Sequence, residues 1–129
     1  MAAFNALFAL AGRILLSFMF VLAGFSKIGG YAGTQQYMES AGLPGELLPL
    51  VILTELGGGI LVVLGLFTRW AALALAGFCV LSAFLFHFQP DDQMQMISLQ
   101  KNLGLAGGFL LLTAFGPGAW SFDEGWRRG

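Results

Sequence analysis

The chain has 129 residues, of which 57% are hydrophobic and only 10% charged, with a formal net charge of -1 and a mean hydropathy of +0.80. A water-soluble domain carries about 25% charged residues, and one of this length could not hide so much apolar surface, so the composition points to a protein solvated by the lipid bilayer. The net charge says nothing about partners, but no basic run points to nucleic acid, and none is expected as a partner; the single cysteine, Cys79, excludes an internal disulfide, a CxxC pair and a multi-cysteine metal site.

A bilayer core about 30 Å thick needs roughly 20 apolar residues of helix. Four stretches qualify, predicting an all-α chain that forms one domain over 1–129, a four-helix transmembrane bundle. The first span covers about 4–26 and contains Arg13. The run Ile14 to Ala23 behind Arg13 has the look of a signal-peptide core, with Val21-Leu22-Ala23 as a weak cleavage site, but the long apolar stretch before it argues against removal. A polar loop over 29–46 comes next, with Tyr31, Tyr37, Glu39 and Pro44. The second span, about 47–67, has Pro49 in an early turn, where its missing N–H costs little, and Glu55 near its middle. Thr68-Arg69 is a tight turn into the third span, about 70–88, which ends at His87. The connection 89–96 is polar, and Asp91-Asp92 reads as a solvated acidic pair. The fourth span, about 97–115, carries Lys101 and Asn102 in its first turns and stops at Gly116-Pro117-Gly118. Gly57-Gly58-Gly59, the Gly104/Gly108 pair and the Ala72/Ala76 pair have the small-residue spacing that lets helices approach closely in lipid.

Four spans put both termini on one side, with Arg69, Arg127 and Arg128. The opposite loops hold Glu39, Glu46, Asp91 and Asp92. The positive-inside rule then places both termini in the cytoplasm of an inner (plasma) membrane protein. Trp70, Trp120 and Trp126 fall near the inner interface.

An ionisable group in hydrocarbon is costly unless paired or hydrated, which makes each one a candidate functional residue. With about 1.5 Å of rise per residue, Lys27 and His87 lie at the outer rim, Lys101 roughly 6 Å below it, Glu55 roughly 12 Å below it and Arg13 deeper still. On this ladder Lys101 is the expected partner of Glu55, with Arg13 as second choice. Lys27 reads first as an interfacial lysine with a buried stem and a hydrated head. Arg13, Ser17, Phe20, Gly24 and Lys27 fall on one helical stripe, expected to face the bundle interior. His87 ends a stripe with Cys79 and Ala83, and its titration near neutral pH suits a proton donor or carbonyl ligand. Cys79 itself reads as a packing residue. The lone histidine excludes bis-histidine haem ligation within one chain, and no HExxH, Walker A or GxGxxG motif occurs in a suitable context, so no metal site is expected.

The ordered set of motifs resembles the DoxX family of small bacterial membrane proteins. The residues that carry the resemblance are Arg13-Ile14-Leu15-Leu16, Leu22-Ala23-Gly24-Phe25-Ser26-Lys27, Ala41-Gly42-Leu43-Pro44 and Glu55-Leu56-Gly57-Gly58-Gly59. Leu64-Gly65-Leu66-Phe67-Thr68-Arg69, Ala83 with His87, Lys101-Asn102-Leu103, Gly116-Pro117-Gly118 and Ser121-Phe122-Asp123 complete it. The resemblance implies a four-helix membrane fold. Some relatives are associated with oxidoreductase complexes, including the small subunit of a thiosulfate:quinone oxidoreductase. Others are linked to thiol and oxidative-stress systems, and more distant ones act as membrane chaperones or cargo receptors. Arg13, Lys27, Glu55, His87, Lys101 and Asn102 match the family's polar positions.

Three functions compete on these residues. One is a quinone-linked oxidoreductase component, with Glu55, His87 and Lys101 exchanging protons or touching the ligand and Lys27, Arg13 and Asn102 binding it. Such a chain has no covalently bound cofactor and takes electrons from a soluble or membrane oxidoreductase subunit or a diffusing donor. The second is a non-catalytic anchor, assembly factor or chaperone, whose charges fix helix register or touch a partner. The third is binding or transport of a small lipophilic or anionic molecule, which would need a homo-oligomer to make room for a pathway.

Overall fold

A computed structural model describes residues 2–125 and is helical throughout, with no strand among those residues. Helix α1 spans Ala2–Gly29 and α2 spans Tyr31–Ser40. A single 3-10 turn, Gly45–Leu47, leads into α3, Leu48–Ile52, then a π-turn, Leu53–Gly57, and α4, Gly58–Leu64, on one continuous path. Helices α5, Thr68–Phe86, and α6, Gln93–Phe115, form a hairpin with the most extensive helix–helix contact among the described residues. Three segments are long and apolar enough to cross a bilayer: Ala3–Gly29, Gly45–Leu64 and Thr68–Phe86. Helix α6 has 23 residues, but Gln93, Gln95, Gln100, Lys101 and Asn102 make its first half too polar to qualify by composition alone.

Two loop expectations are corrected. Within the predicted 29–46 loop, Tyr31–Ser40 is a helix. Thr34, Gln35 and Met38 turn inward at 3–4 spacing, with Met38 buried, and that narrow stripe is enough to seat one short helix on the bundle. Asp92 is not merely solvated. Its carboxylate accepts from the N–H groups of Met94 and Gln95 at 3.0 and 3.2 Å, a side-chain cap that starts α6 one turn earlier than the apolar run. Pro49 does sit in the first turn of α3, and α6 does end at Phe115, where Gly116 turns with φ 83°.

The small residues work unevenly. Gly24 and Gly59 are contact points between α1 and the second span: a Cβ at Gly24 would lie 2.8 Å from the Leu56 backbone N, and one at Gly59 would lie 2.9 Å from the Val21 side chain. Ala72 and Ala76 are buried. Gly108 faces Leu16, whereas Gly104 faces open space. The core runs through Phe20, Val62, Leu75, Cys79 and Phe109, with the Phe20 ring edge-on to both Phe78 and Phe109 at centroid distances of 6.5 and 5.4 Å. Large apolar side chains such as Leu15, Phe25, Leu53, Trp70 and Leu81 point outward, as lipid solvation requires.

Candidate functional site

The bundle is a wedge, stitched at one end and open at the other. At the closed end, α4 stops at Gly65, which has φ 73°. The last carbonyls of a helix lack partners inside it, and here each finds one from elsewhere in the chain. Arg13, 1% exposed, donates to Val62 O at 3.2 Å and Val63 O at 3.1 Å, and also to Trp120 O. Phe122 N donates to Leu64 O and Asp123 N to Gly65 O. The Asp123 carboxylate then accepts from the N–H groups of Phe67 and Thr68, both at 2.8 Å, at the start of α5. That grip holds Phe67 at φ 49°, a left-handed conformation uncommon outside glycine.

Arg13 therefore binds backbone at the closed end and does not pair with Glu55. Trp126, Arg127 and Arg128, expected on the cytoplasmic side, lie outside the described residues.

Burial works against ionisation of Asp123, but the hydrogen bonds from Thr68 and Phe67 and the charge of Arg13 outweigh it, holding the carboxyl below its ordinary value of 3.8. A lowered folded pKa means stability that is fully present above the ordinary value and is lost as pH falls through the folded one. Acid titration of the purified protein is expected to loosen the closed end below about pH 4, and Asp123→Asn to flatten that part of the stability–pH curve. A wild-type curve that is already flat there would contradict the grip.

At the other end the helices part. Among the described residues, α1, α2 and α3 make no close backbone approach to α5, and a cavity of about 630 Å³ lies between them. Its floor is Phe20 and Phe78, and its walls include Leu50, Leu73, Leu81 and Leu85. Helix α2 roofs it: Thr34, Tyr37 and Met38 line the cavity, and the Tyr37 ring stacks on Phe86 of α5 at 5.3 Å and 18°. The Lys27 Nζ lies 2.6 Å from Glu55 Oε1, with the lysine side chain 27% exposed and the glutamate 6%. Glu55 sits on the π-turn, a local widening of the helix often found at functional sites. Thr54, Glu55, Ser82, His87 and Asn102 are the other polar lining groups.

The expected Glu55–Lys101 pair is corrected by this geometry. Helix α1 continues to Gly29 and α2 folds over its end, so Lys27 is inside rather than at the water boundary, and its long stem reaches down to Glu55. Lys101 is exposed and does not line the cavity, whereas its neighbour Asn102 does. His87 Nδ1 lies 2.7 Å from Gln95 Oε1. An amide oxygen only accepts, so Nδ1 is the donor and Nε2 of the neutral ring is left as an acceptor. The predicted α1 stripe holds: Arg13, Ser17, Phe20 and Gly24 are all buried. Tyr37 reads from sequence only as a loop residue, and Thr34, Thr54 and Ser82 carry no expectation. A hydroxyl, whether in a polar stretch such as 31–40 or among apolar residues as at Thr54 and Ser82, gives no signal until the helices are placed.

An all-helical chain with lipid-facing side chains and a lateral cavity is a membrane protein with a lipophile-sized pocket. It belongs to the DoxX family, whose model matches residues 8–88. It is 54% identical over 115 residues to "Inner membrane protein YqjF" of Escherichia coli strain K12, covering 89% of this chain and 88% of that protein. It is 39% identical to "Inner membrane protein YphA" of the same strain (89% and 87% covered) and 32% identical to "Putative oxidoreductase CatD" of Bacillus subtilis strain 168 (80% and 82% covered). No solved structure matches the chain significantly. The chain is an inner (plasma) membrane protein with three helices long and apolar enough to cross a membrane among the described residues.

Proposed function

We propose that this chain is the quinone-binding component of a membrane oxidoreductase, a four-span bundle with both termini in the cytoplasm and the cavity in the outer half of the bilayer. Helix α6 accompanies α5 from end to end, with Thr113 meeting Arg69 O at one end and Gln95 meeting His87 at the other, which supports counting it as a span. Arg69 lies at the closed end, and Glu39, Glu46, Asp91 and Asp92 at the open end, in keeping with the positive-inside rule.

The observation that carries the reading is the cavity: apolar over most of its wall, polar at one end, and within the 300–1,000 Å³ range of small-molecule sites. A quinone is a flat apolar ring with two carbonyl acceptors on a lipophilic tail. Lys27 and Asn102 offer donors to those carbonyls, Glu55 holds the lysine charge in place, and His87 Nε2 accepts from a hydroxyl of the reduced form. The bound quinone supplies the electron chemistry, with the electrons delivered by a partner subunit or a diffusing donor. The likeness to a protein named as an oxidoreductase supports the redox part of the reading.

Gly77 gives a direct test. It lines the cavity, and a Cβ there meets nothing within 4 Å, so a larger side chain has room to start into the cavity without a backbone clash. Wild-type protein in lipid nanodiscs is expected to retain extractable quinone and to bind a fluorescent quinone analogue. Gly77→Phe should weaken that binding by about tenfold or more with an unchanged melting temperature. Wild-type protein that neither retains quinone nor binds the analogue would overturn the proposal.

A further inference from the structure

We infer that Glu55 sets the ligand specificity of the cavity: as the resident counter-ion of Lys27 it restricts the site to uncharged amphiphiles and shuts out carboxylate and phosphate heads. The inference rests on the reading of the cavity as a lipophile site and adds the charge class of the head it accepts.

The route of entry makes head charge the relevant variable. Met19, Leu50, Leu73 and Leu81 line the cavity and are also 45%, 60%, 46% and 63% exposed. The cavity is therefore open on a side bordered by apolar residues, and in a lipid-embedded bundle whatever enters there comes from the bilayer. Most molecules there carry an apolar chain that this cavity could house, and many carry an anionic head. Chain contacts alone cannot tell them apart.

A lone ammonium at the end of an apolar cavity would be an anion receptor. Lys27 is the only cationic side chain among the lining residues. Arg13 is committed to carbonyls at the closed end, and Lys101 is exposed outside the lining. With Glu55 Oε1 at 2.6 Å from Lys27 Nζ, the polar end carries no net charge. An anionic head must either displace a carboxylate that is itself 6% exposed or take another of the ammonium's donors beside it, and either way a negative charge is left buried without its own counter-ion, which is strongly unfavourable. A neutral head needs no such exchange. An ammonium has three donors, so a carbonyl or hydroxyl oxygen can take one while the pair stays intact. The logic is reciprocal: with Lys27 removed, Glu55 would admit a cationic head.

The test uses long-chain photo-crosslinking probes of equal length that differ only in the head: an alcohol, a carboxylate and an amine. Each is presented to the full chain in nanodiscs of zwitterionic lipid, with the acid probe read at alkaline pH, where it is ionised. Wild-type protein is expected to be labelled by the alcohol at least about tenfold more than by either charged probe. Glu55→Gln should gain carboxylate labelling by about tenfold, and Lys27→Met should gain amine labelling. The double variant Lys27→Met/Glu55→Gln should return to preferring the alcohol, which distinguishes a charge filter from a site merely disturbed by substitution. Equal labelling of wild type by alcohol and carboxylate, or a Glu55→Gln profile identical to wild type, would overturn the inference. If wild type binds the quinone analogue with either of those results, only the charge filter fails. If wild type takes up neither the analogue nor any probe, the cavity reading falls with it.

Discussion

Arg13→Met is expected to destabilise the protein by about 3–5 kcal/mol, the net of three carbonyls losing a charged donor at about 1.5–3 kcal/mol each and the solvation recovered by removing the guanidinium. The guanidinium is 1% exposed and links three segments: α1, which carries it, the last turn of α4 through Val62 O and Val63 O, and the C-terminal segment through Trp120 O. Methionine roughly replaces the volume, so the loss is not mainly a cavity. It is the loss of donors to carbonyls that the packed helix end keeps from water and would leave unsatisfied. Arg13→Lys keeps the charge but not the planar fork that spans two segments, and should fall between wild type and Arg13→Met. Equilibrium unfolding in mixed micelles reads all three. A stability for Arg13→Met equal to wild type would mean the network contributes nothing net.

Apolar length made three of the four expected spans legible, because lipid demands it; the fourth stretch is a helix, but with residues 93–102 included it is not apolar enough to qualify on composition. The α1 stripe was legible too, because Arg13, Ser17, Phe20 and Gly24 follow helical spacing whatever they touch. Partners were not legible. Depth counted along straight helices put Lys27 at the water boundary and Lys101 within a lysine stem's reach of Glu55, but height says nothing about azimuth, and Lys101 turns outward on α6 while Asn102 turns in. The π-turn at Glu55 adds a residue to the local repeat, which shifts the facing of the turns beyond it and leaves no mark in composition. Helix α2 hid between Gly29-Gly30 and Gly42-Leu43-Pro44 because it is polar and short, the profile of a loop. Asp123 could be quoted as part of a motif, but its grip on Phe67 and Thr68 crosses 56 and 55 positions of sequence. No local pattern encodes a contact of that range.

Gly65→Ala should destabilise the closed end by about 2–5 kcal/mol, from two sources that can be separated. The first is conformational: Gly65 has φ 73° and ψ 36°, where an L-residue costs about 1–2 kcal/mol. The second is crowding, since a Cβ there would overlap both the Arg13 guanidinium and Ser121, and forced overpacking costs about 1–3 kcal/mol. Neither neighbour can easily yield. Arg13 is pinned by its carbonyls, and the segment after Ser121 is bonded to Leu64 O and Gly65 O. Gly42 supplies the comparison within the same chain: its φ is 86°, but nothing lies within 4 Å of a Cβ there. Gly42→Ala should therefore show the conformational cost alone, and Gly42→Asn, a residue that tolerates this backbone region, should restore most of it. At Gly65 asparagine should restore nothing, because crowding remains. In an Arg13→Met background one of the two clashes is gone, so Gly65→Ala should cost less than it does in wild type, with a coupling of about 0.5–3 kcal/mol expected for residues in contact. Strict additivity of the two substitutions would show that Arg13 does not fill the space above Gly65, and the stitched end would have to be drawn differently.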